Sequence, residues 1–250
     1  MRILLTNDDG IKSEGLVALE YIARTLSDDI WVFAPETDQS CLANSLTMSK
    51  ELSCRTISEK HFAVSGTPVD CVVVALHKLS DKKPDLILSG VNIGTNTANH
   101  VAYSGTMAAA FEGGLQGIRS CALSQSYKSE ANIPWEISKT YAPSIIRQLL
   151  DINVPNTTIF NINFPSCSLE DTPEIMITEQ GKPCFSISAK QISKDDHLSR
   201  HHLEFCDHLE DLSKGSDVFA VQNNMISVTP IKTDLTDYDS KQKMTLSIRR

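Results

Sequence analysis

The sequence has no long apolar run, no paired cysteine motif and no surplus of basic residues. No stretch approaches the roughly 20 apolar residues of a membrane-spanning helix, so we expect no membrane partner. The formal net charge of -8 disfavours a nucleic-acid polymer as partner but permits a metal-neutralised pocket for a small anion. The first apolar run follows Met1-Arg2 directly, and we therefore expect no signal peptide.

Cysteine spacing points to a reducing environment. The seven cysteines are scattered, are odd in number and include no C-x-x-C pair. This distribution argues against both a disulfide framework and a structural zinc site. We therefore expect a cytoplasmic protein.

Three familiar catalytic signatures are also missing. No Gly-Lys-Ser/Thr is present in a glycine-rich loop, so nothing specifies ATP or GTP. No G-x-G-x-x-G follows the first apolar run, which disfavours a nicotinamide-dependent oxidoreductase. No Ser–His–Asp arrangement and no cysteine-nucleophile motif can be read from the spacing.

What the sequence does have is a short apolar run that ends in two carboxylates. Residues 3–5 are typical of a buried parallel strand, and Asp8, Asp9 and Gly10 follow at once. Open α/β sheets bind their ligands at the carboxyl ends of strands. Adjacent carboxylates repel each other, and a shared divalent cation relieves that repulsion. The alternative is an ordinary Asp-Asp-Gly surface turn.

Two later loops bring neutral oxygens to the same predicted edge. The polar loop at 35–49 follows the second predicted strand, and Ser40 lies in it either as a ligand or as a turn residue. A strand at 85–88 leads into a second loop. There Asn92 offers a carbonyl oxygen to a hard cation, and Asn96 offers donors to an anion. Either asparagine could instead serve only to tolerate a left-handed turn.

A helix start at Ser104 adds a candidate phosphate site. Residues 103–106, Y-S-G-T, open an alanine-rich helix, and helix N-termini bind phosphate, although a plain cap is the commoner reason for such residues. A cation at the same edge would polarise a phosphoryl oxygen and orient a water. The leading hypothesis is therefore a metal-dependent phosphohydrolase. A covalent phosphoserine at Ser104 is the rival mechanism, disfavoured because no neighbouring base is evident.

Strands and helices alternate as far as Pro165, which predicts a doubly wound, mostly parallel sheet. Asp70 is explained as a first-turn residue of a helix capped by Thr67. A helix at 135–150 is expected to break or kink at Pro143. We divide one domain, 1–250, into a core at about 1–165 and 226–231 and an extension at about 166–225 and 232–250.

After Pro165, where the extension begins, the sequence pattern changes. Strands are predicted at 174–178 and 183–191, forming a projecting hairpin, and 194–210 is predicted to be a solvated charged stretch. His201-His202 within it does not favour a metal site, because adjacent side chains on a strand point apart. The tail at 233–250 is expected to dock elsewhere or on another subunit. Uncovered edge strands favour at least a symmetric homodimer.

Several motifs occur in a fixed order along most of the chain. They are I-L-L-T-N-D-D-G at 3–10, A-P-E-T-D-Q-S at 34–40, N-S-L-T at 44–47, S-G-T-P-V-D-C-V at 65–72, S-G-V-N-I-G-T-N at 89–96, Y-S-G-T-M-A-A-A-F-E-G at 103–113, N-I-N-F-P at 161–165 and I-S-V-T-P-I at 226–231. In this order they resemble one family, the SurE (survival protein E) nucleotidases. The sequence departs from the family at Cys41, where Gly is usual, and at 183–210, which lacks the usual Trp and Tyr.

The resemblance implies a Rossmann-like three-layer α/β/α core and a C-terminal extension used to form a homodimer or homotetramer. It implies a 5′-nucleotidase with one divalent cation, Mg²⁺ or Mn²⁺, per subunit. Hydrolysis of nucleoside 3′-monophosphates and of short polyphosphate is implied as well. The metal ligands fall on Asp8, Asp9, Ser40 and Asn92, and the phosphate pocket falls on Asn96, Ser104, Gly105 and Thr106. We take Asp8, Asp9, Asn96 and Ser104 as the catalytic group.

A nucleotide-binding module without turnover is the competing class of protein. A pure binder would not need a bare cation site. The presence of both carboxylates together with the Ser104 helix start therefore favours the enzyme.

Overall fold

The structure, a computed structural model, describes residues 1–195, 197–207 and 213–247. Its elements, in chain order, are β1 (Arg2–Thr6), α1 (Glu14–Arg24), β2 (Asp29–Pro35), β3 (Cys54–Ser58), β4 (His61–Val64), α2 (Pro68–Lys78), β5 (Leu86–Ile93), α3 (Gly105–Leu115), β6 (Arg119–Gln125), α4 (Trp135–Asp151), β7 (Thr158–Phe164), β8 (Ile175–Ile177), β9 (Phe185–Lys194), β10 (Ser199–Asp207), α5 (Asp217–Gln222), β11 (Ile226–Lys232) and α6 (Tyr238–Ser247). A 3-10 turn, Ala98–Ala102, precedes α3.

In the described ranges, nine strands form one sheet in the order β3-β4-β2-β1-β5-β6-β7-β11-β8. The central run from β4 to β7 is parallel, whereas β3 and β11 pair antiparallel with β4 and β7. Parallel neighbours end at the same edge of a sheet. The loops after β1, β2 and β5 therefore converge, which is the condition for a shared site.

Helices cover both faces of the sheet. Side chains alternate along β1, so that Ile3 and Leu5 pack into the cluster under α1 and α4, while Leu4 packs into the cluster under α2. These side chains are fully buried. The predicted three-layer α/β/α fold with a mostly parallel sheet is confirmed. None of the helices in the part of the chain described here has both the length and the apolar character needed to span a bilayer.

Asp70 has the structural role that the sequence predicted. Its carboxylate accepts from the Thr67 backbone N–H at 2.9 Å, and its own N–H donates to Thr67 Oγ1, which completes a capping box on α2. The same carboxylate also accepts from the N–H and hydroxyl of Thr47. Asp70 therefore anchors the loop that follows β2.

Helix α4 runs unbroken through Pro143, so the break that the sequence allowed there does not occur. A proline inside a helix removes one backbone hydrogen bond. Here the helix buries Ile137, Ile145 and Ile146 against the sheet, and we attribute its continuity to this buried face.

The extension also pairs differently from the prediction. Strand β8 does not form a hairpin with β9 but joins the edge of the main sheet, parallel to β11. The hairpin is made instead by β9 and β10, so the predicted solvated stretch at 194–210 is in large part a strand. Residues 196 and 208–210 of that stretch lie outside the described residues. Strand partners are fixed by tertiary register, which a local pattern does not carry.

Candidate active site

One cavity of about 410 Å³ opens at the carboxyl edge of the parallel strands. It receives the ends of β1 and β5, the loop after β2 and the N-terminal cap of α3. Six of the eight predicted site residues line it, namely Asp8, Asp9, Ser40, Asn92, Asn96 and Ser104. The other two, Gly105 and Thr106, contact Asp8 on the side away from the cavity lining.

Asp8 is buried beneath the N-terminus of α3. Thr106 Oγ1 donates to Asp8 Oδ1 at 2.6 Å, and the Thr106 side chain is itself fully buried. The hydroxyl of Thr106, predicted to face a phosphate, is thus committed to Asp8. Burial raises the pKa of Asp8, although the hydrogen bond from Thr106 opposes this effect.

Asp9 carries the clearest sign of a missing partner. Its Oδ2 atom is buried and has no hydrogen-bond partner among the described residues. Burial, followed by the charges of Asp8 and Asp38, raises the pKa of Asp9 to about 7. A buried carboxylate oxygen without a donor, next to a second carboxylate, fits a cation.

Neutral oxygens complete the ligand set. Ser40 donates its hydroxyl to Asp38 Oδ1 at 2.6 Å, so its lone pairs remain available. Asn92 donates its Nδ2 to the carbonyl oxygen of Gly94 at 2.9 Å, which leaves Oδ1 as its acceptor. The described residues contain no group of three or more His, Cys, Asp or Glu that could hold a metal. Two carboxylates with neutral oxygens suit a hard cation that keeps several waters, such as Mg²⁺.

Cys41 also borders the cavity, next to Ser40. Its φ of 63° lies in the left-handed region, where a Cβ is strained and Gly is favoured. The thiol is soft, whereas the carboxylate, hydroxyl and amide oxygens around it are hard ligands. The donor set therefore fits a cation bound through oxygen.

Ser104 and Asn96, the two predicted phosphate-binding side chains that line the cavity, follow the metal ligands in the chain. Ser104 is the N-cap of α3, and its Oγ accepts from the Met107 N–H at 3.0 Å, which leaves its hydroxyl hydrogen free to point elsewhere. Asn96 is buried, and its Nδ2 donates to Ser124 Oγ at 2.9 Å. One amide hydrogen of Asn96 is then committed to the protein and one remains.

Comparison with known proteins identifies the family of this architecture. The sequence profile described as "Survival protein SurE" matches residues 3–186. The chain belongs to the SurE family. A protein named 5′-nucleotidase SurE from Rhizobium meliloti (strain 1021) is 49% identical over 251 residues, 100% of this chain and 98% of that protein. Its namesake from Allorhizobium ampelinum is 50% identical over 240 residues, 95% and 94% of the two chains.

A solved structure agrees with this assignment. The crystal structure of the SurE protein from Aquifex aeolicus superposes with a TM-score of 0.85 at 33% sequence identity, covering 99% of this chain and all of that one. The predicted family is therefore confirmed together with the fold.

Aromatic side chains also line the cavity of this SurE chain. Tyr103 and Tyr127 line it, together with Phe205 from β10. Phe205 packs edge-on against Phe185, with ring centroids 4.9 Å apart, and Phe185 packs against His100 at 4.2 Å. The hairpin β9–β10 thus supplies one wall of the cavity.

Sequence reasoning overlooked four residues that support the SurE site. They are Asp38, which holds Ser40, and Ser124, Asn161 and Asn163, which hold Asn96. A signal for two of them was visible, because T-I-F-N-I-N-F places asparagines at alternate positions of an otherwise apolar strand. Asp38 carried no comparable signal, since one acidic residue in a polar loop is ordinary in composition.

Proposed function

We propose that this chain hydrolyses nucleoside monophosphates to nucleoside and phosphate in a divalent-cation-dependent reaction at the cavity described above. The single observation that carries the cation is the buried, unpartnered Asp9 Oδ2 beside Asp8. The predicted enzyme class, 5′-nucleotidase, is confirmed by the relatives that bear this name at about half identity over nearly the whole chain.

Asp8, Asp9, Ser40 and Asn92 would hold one Mg²⁺ or Mn²⁺ per subunit. When bound, the cation supplies positive charge that offsets the phosphate oxygens and polarises the attacking water. Thr106 acts from behind the site, because its hydroxyl fixes the orientation of Asp8. Asp38 does the same for Ser40.

The phosphate would lie between this ligand set and the start of α3. Ser104 has a hydroxyl hydrogen to donate, and Asn96 has one amide hydrogen that Ser124 does not use. Gly105 contributes a first-turn backbone N–H at the positive end of the helix dipole. These donors would bind the equatorial oxygens more strongly as charge develops on them.

The nucleoside would contact the aromatic side chains that line the cavity. Tyr103, Tyr127 and Phe205 offer ring faces and edges there, and nucleobases stack on aromatic side chains. Hydrolysis of 3′-nucleotides and of short polyphosphate stays a prediction from the family resemblance. The competing class, a binding module without turnover, is separated from the enzyme by the experiment below.

Phosphate release from AMP, with and without EDTA, tests the proposal. We expect turnover that EDTA abolishes and added Mg²⁺ or Mn²⁺ restores, and we expect AMP to be preferred over glycerol phosphate. Asp9→Asn should lower both cation affinity and turnover, whereas Asp28→Asn, at an exposed position, should change neither. Full turnover by Asp9→Asn, or activity that survives EDTA, would refute the cation dependence.

A further inference from the structure

Two asparagine side chains are buried in the core on β7, where apolar residues are usual. Asn161 and Asn163 are fully buried and lie at alternate positions on one face of β7. Earlier on the same face, Ile159 packs into an apolar cluster with Met107 and Ala110 of α3. A buried amide costs free energy unless it is hydrogen-bonded, so this pair needs a partner.

That partner is the backbone of Asn96. Asn161 Nδ2 donates to the Asn96 carbonyl oxygen at 2.7 Å, and Asn163 Oδ1 accepts from the Asn96 N–H at 2.8 Å. Asn163 Nδ2 donates to Asn161 Oδ1 at 3.2 Å and, at 3.4 Å, to the Asn96 carbonyl oxygen. The two amides therefore form a connected network that holds both polar backbone groups of one residue.

The network extends to the side chain of Asn96. Ser124, opposite Asn163 in the β6–β7 register, accepts from Asn96 Nδ2. Three neighbouring side chains of the sheet thus fix the backbone and the amide of Asn96. Neither Asn161 nor Asn163 borders the cavity, so any effect on a ligand must pass through Asn96.

We propose that Asn161 and Asn163 are positioning residues for the hydrolytic reaction, which hold the Asn96 backbone so that its remaining amide hydrogen points at the phosphate. The inference rests on the role assigned to Asn96 under the proposed function. Apolar residues at 161 and 163 would fill the sheet without the cost of two buried amides, but they would leave the Asn96 N–H and carbonyl unpaired.

Asparagine is required at these positions because it both donates and accepts. Asn163→Asp keeps the shape and the acceptor for the Asn96 N–H but removes both donated bonds and turns a carboxylate toward the Asn96 carbonyl. Asn161→Asp similarly loses the bond to that carbonyl. Either change should let the Asn96 backbone shift while the fold is kept.

Steady-state kinetics on AMP with saturating Mg²⁺ provides the first test. We expect Asn161→Asp and Asn163→Asp to lower kcat/KM by about 10- to 100-fold, the cost of a displaced catalytic donor. The matched control is Thr229→Val. Thr229 is buried opposite Asn161 on β11, and its hydroxyl bonds, within the described residues, only to the hydroxyl of Thr178 and, weakly, of Ser227. This substitution should lower stability without lowering kcat/KM.

A double-mutant cycle with Asn96→Ala separates positioning from general damage. If Asn163 acts through the Asn96 side chain, Asn163→Asp should change kcat/KM by less than about twofold in the Asn96→Ala background. Additive losses in the cycle, or wild-type kcat/KM in both aspartate variants, would overturn the inference.

Hydrogen exchange at the Asn96 amide provides a readout that does not depend on activity. We expect this N–H to exchange about tenfold faster in Asn163→Ala than in Thr229→Val, as loss of its acceptor implies. Equal exchange in the two variants would overturn the positioning role. Absence of AMP hydrolysis by the wild type would instead refute the proposed function. The exchange result would then decide by itself whether Asn163 restrains the Asn96 backbone.

Discussion

Gly105 sets how closely α3 approaches the carboxylate of Asp8. A Cβ at this position would lie 2.8 Å from Asp8 Cβ and 3.0 Å from Asp8 Oδ2. Gly105→Ala must therefore push Asp8 out of its place between the helix and the cavity. We expect kcat/KM for AMP to fall about 100-fold, as small displacements of a site can cause.

Gly114→Ala serves as the control for this substitution. It lies on the same helix, and its Cβ would meet Ile159 at 2.9 Å and Thr233 at 3.0 Å, a comparable clash remote from Asp8. Thermal unfolding should show both variants destabilised. Only Gly105→Ala should lose activity, and an equal loss in both would assign the effect to α3 packing.

Asp29 links three segments at the amino-terminal ends of β1 and β2, away from the cavity. Its carboxylate accepts from Lys60 Nζ at 3.0 Å, Arg2 Nε at 3.1 Å and Trp31 Nε1 at 2.9 Å. Desolvation opposes its ionisation, but these donors outweigh it and lower the pKa of Asp29 below its ordinary value of 3.8.

The lowered pKa fixes the sign of a pH effect on stability. The stabilisation from Asp29 is present above the unfolded pKa near 3.8 and is lost as the pH falls through the lower folded value. Wild type should therefore be more stable than Asp29→Asn at pH 7, and the gap should close in acid. Urea unfolding of both proteins from pH 7 to pH 2 measures it, and a constant gap would contradict this account.

At the scale of elements, the extension holds the segment that joins the two halves of the site. Gln180 Nε2 donates to the Ala98 carbonyl oxygen at 2.7 Å, and Asp217 Oδ2 accepts from the Ala98 N–H at 3.0 Å. Ala98 has a φ of 48°, a conformation that these bonds must maintain. The extension thus fixes the path of the chain between Asn96 and Ser104.

Asp217→Asn tests this hold. Asp217 is fully buried, and its other oxygen accepts from the N–H groups of Gly181 and Val218. Burial raises the pKa of Asp217, with these backbone bonds opposing the shift. An amide would face at least one N–H with its own NH₂, which should cost about 1–3 kcal/mol of unfolding free energy. Asp239→Asn on exposed α6 should cost nothing measurable by the same urea titration.

At the scale of the whole molecule, the hairpin exposes apolar side chains on one face. Phe205 pairs with Ile187 in the hairpin register and Leu203 pairs with Ala189, so the four lie together. Leu203 is 74% exposed and Phe205 51%. Contiguous apolar surface of this kind is typical of protein interfaces. The homodimer or homotetramer stays a prediction, and this face is where we expect a partner subunit.

Leu203→Glu should weaken that association. A charge at the centre of an apolar interface is left desolvated, so light scattering at micromolar concentration should show a shift toward monomer. His202→Glu is the matched control, because its side chain points from the other face of the same strand. A wild-type protein that is already monomeric would refute the assembly.

The sequence predicted what depends on local chemistry. The carboxylates after β1, the Thr67 cap with Asp70 in the first turn of α2, and the strand–helix alternation all follow from neighbours in the chain. Strand β10 was not predicted because its residues are mostly polar, although its partner β9 is the strand just before it. The partner of β8 was not predicted because β8 pairs with β11, which comes much later in the chain (Ile175 with Ile226). The bonds of Asn161 to Asn96 are hidden for the same reason.

The order of the strands has a consequence for synthesis. Strand β11 borders β7 in the sheet, yet residues 165–225 are translated between them. Because translation proceeds at about 5–20 residues per second, one edge of β7 stays unpaired for several seconds before β11 is synthesised. An open edge of this kind recruits other strands. A nascent chain released before residue 226 is therefore expected to aggregate, and protection by a chaperone matters most during that interval.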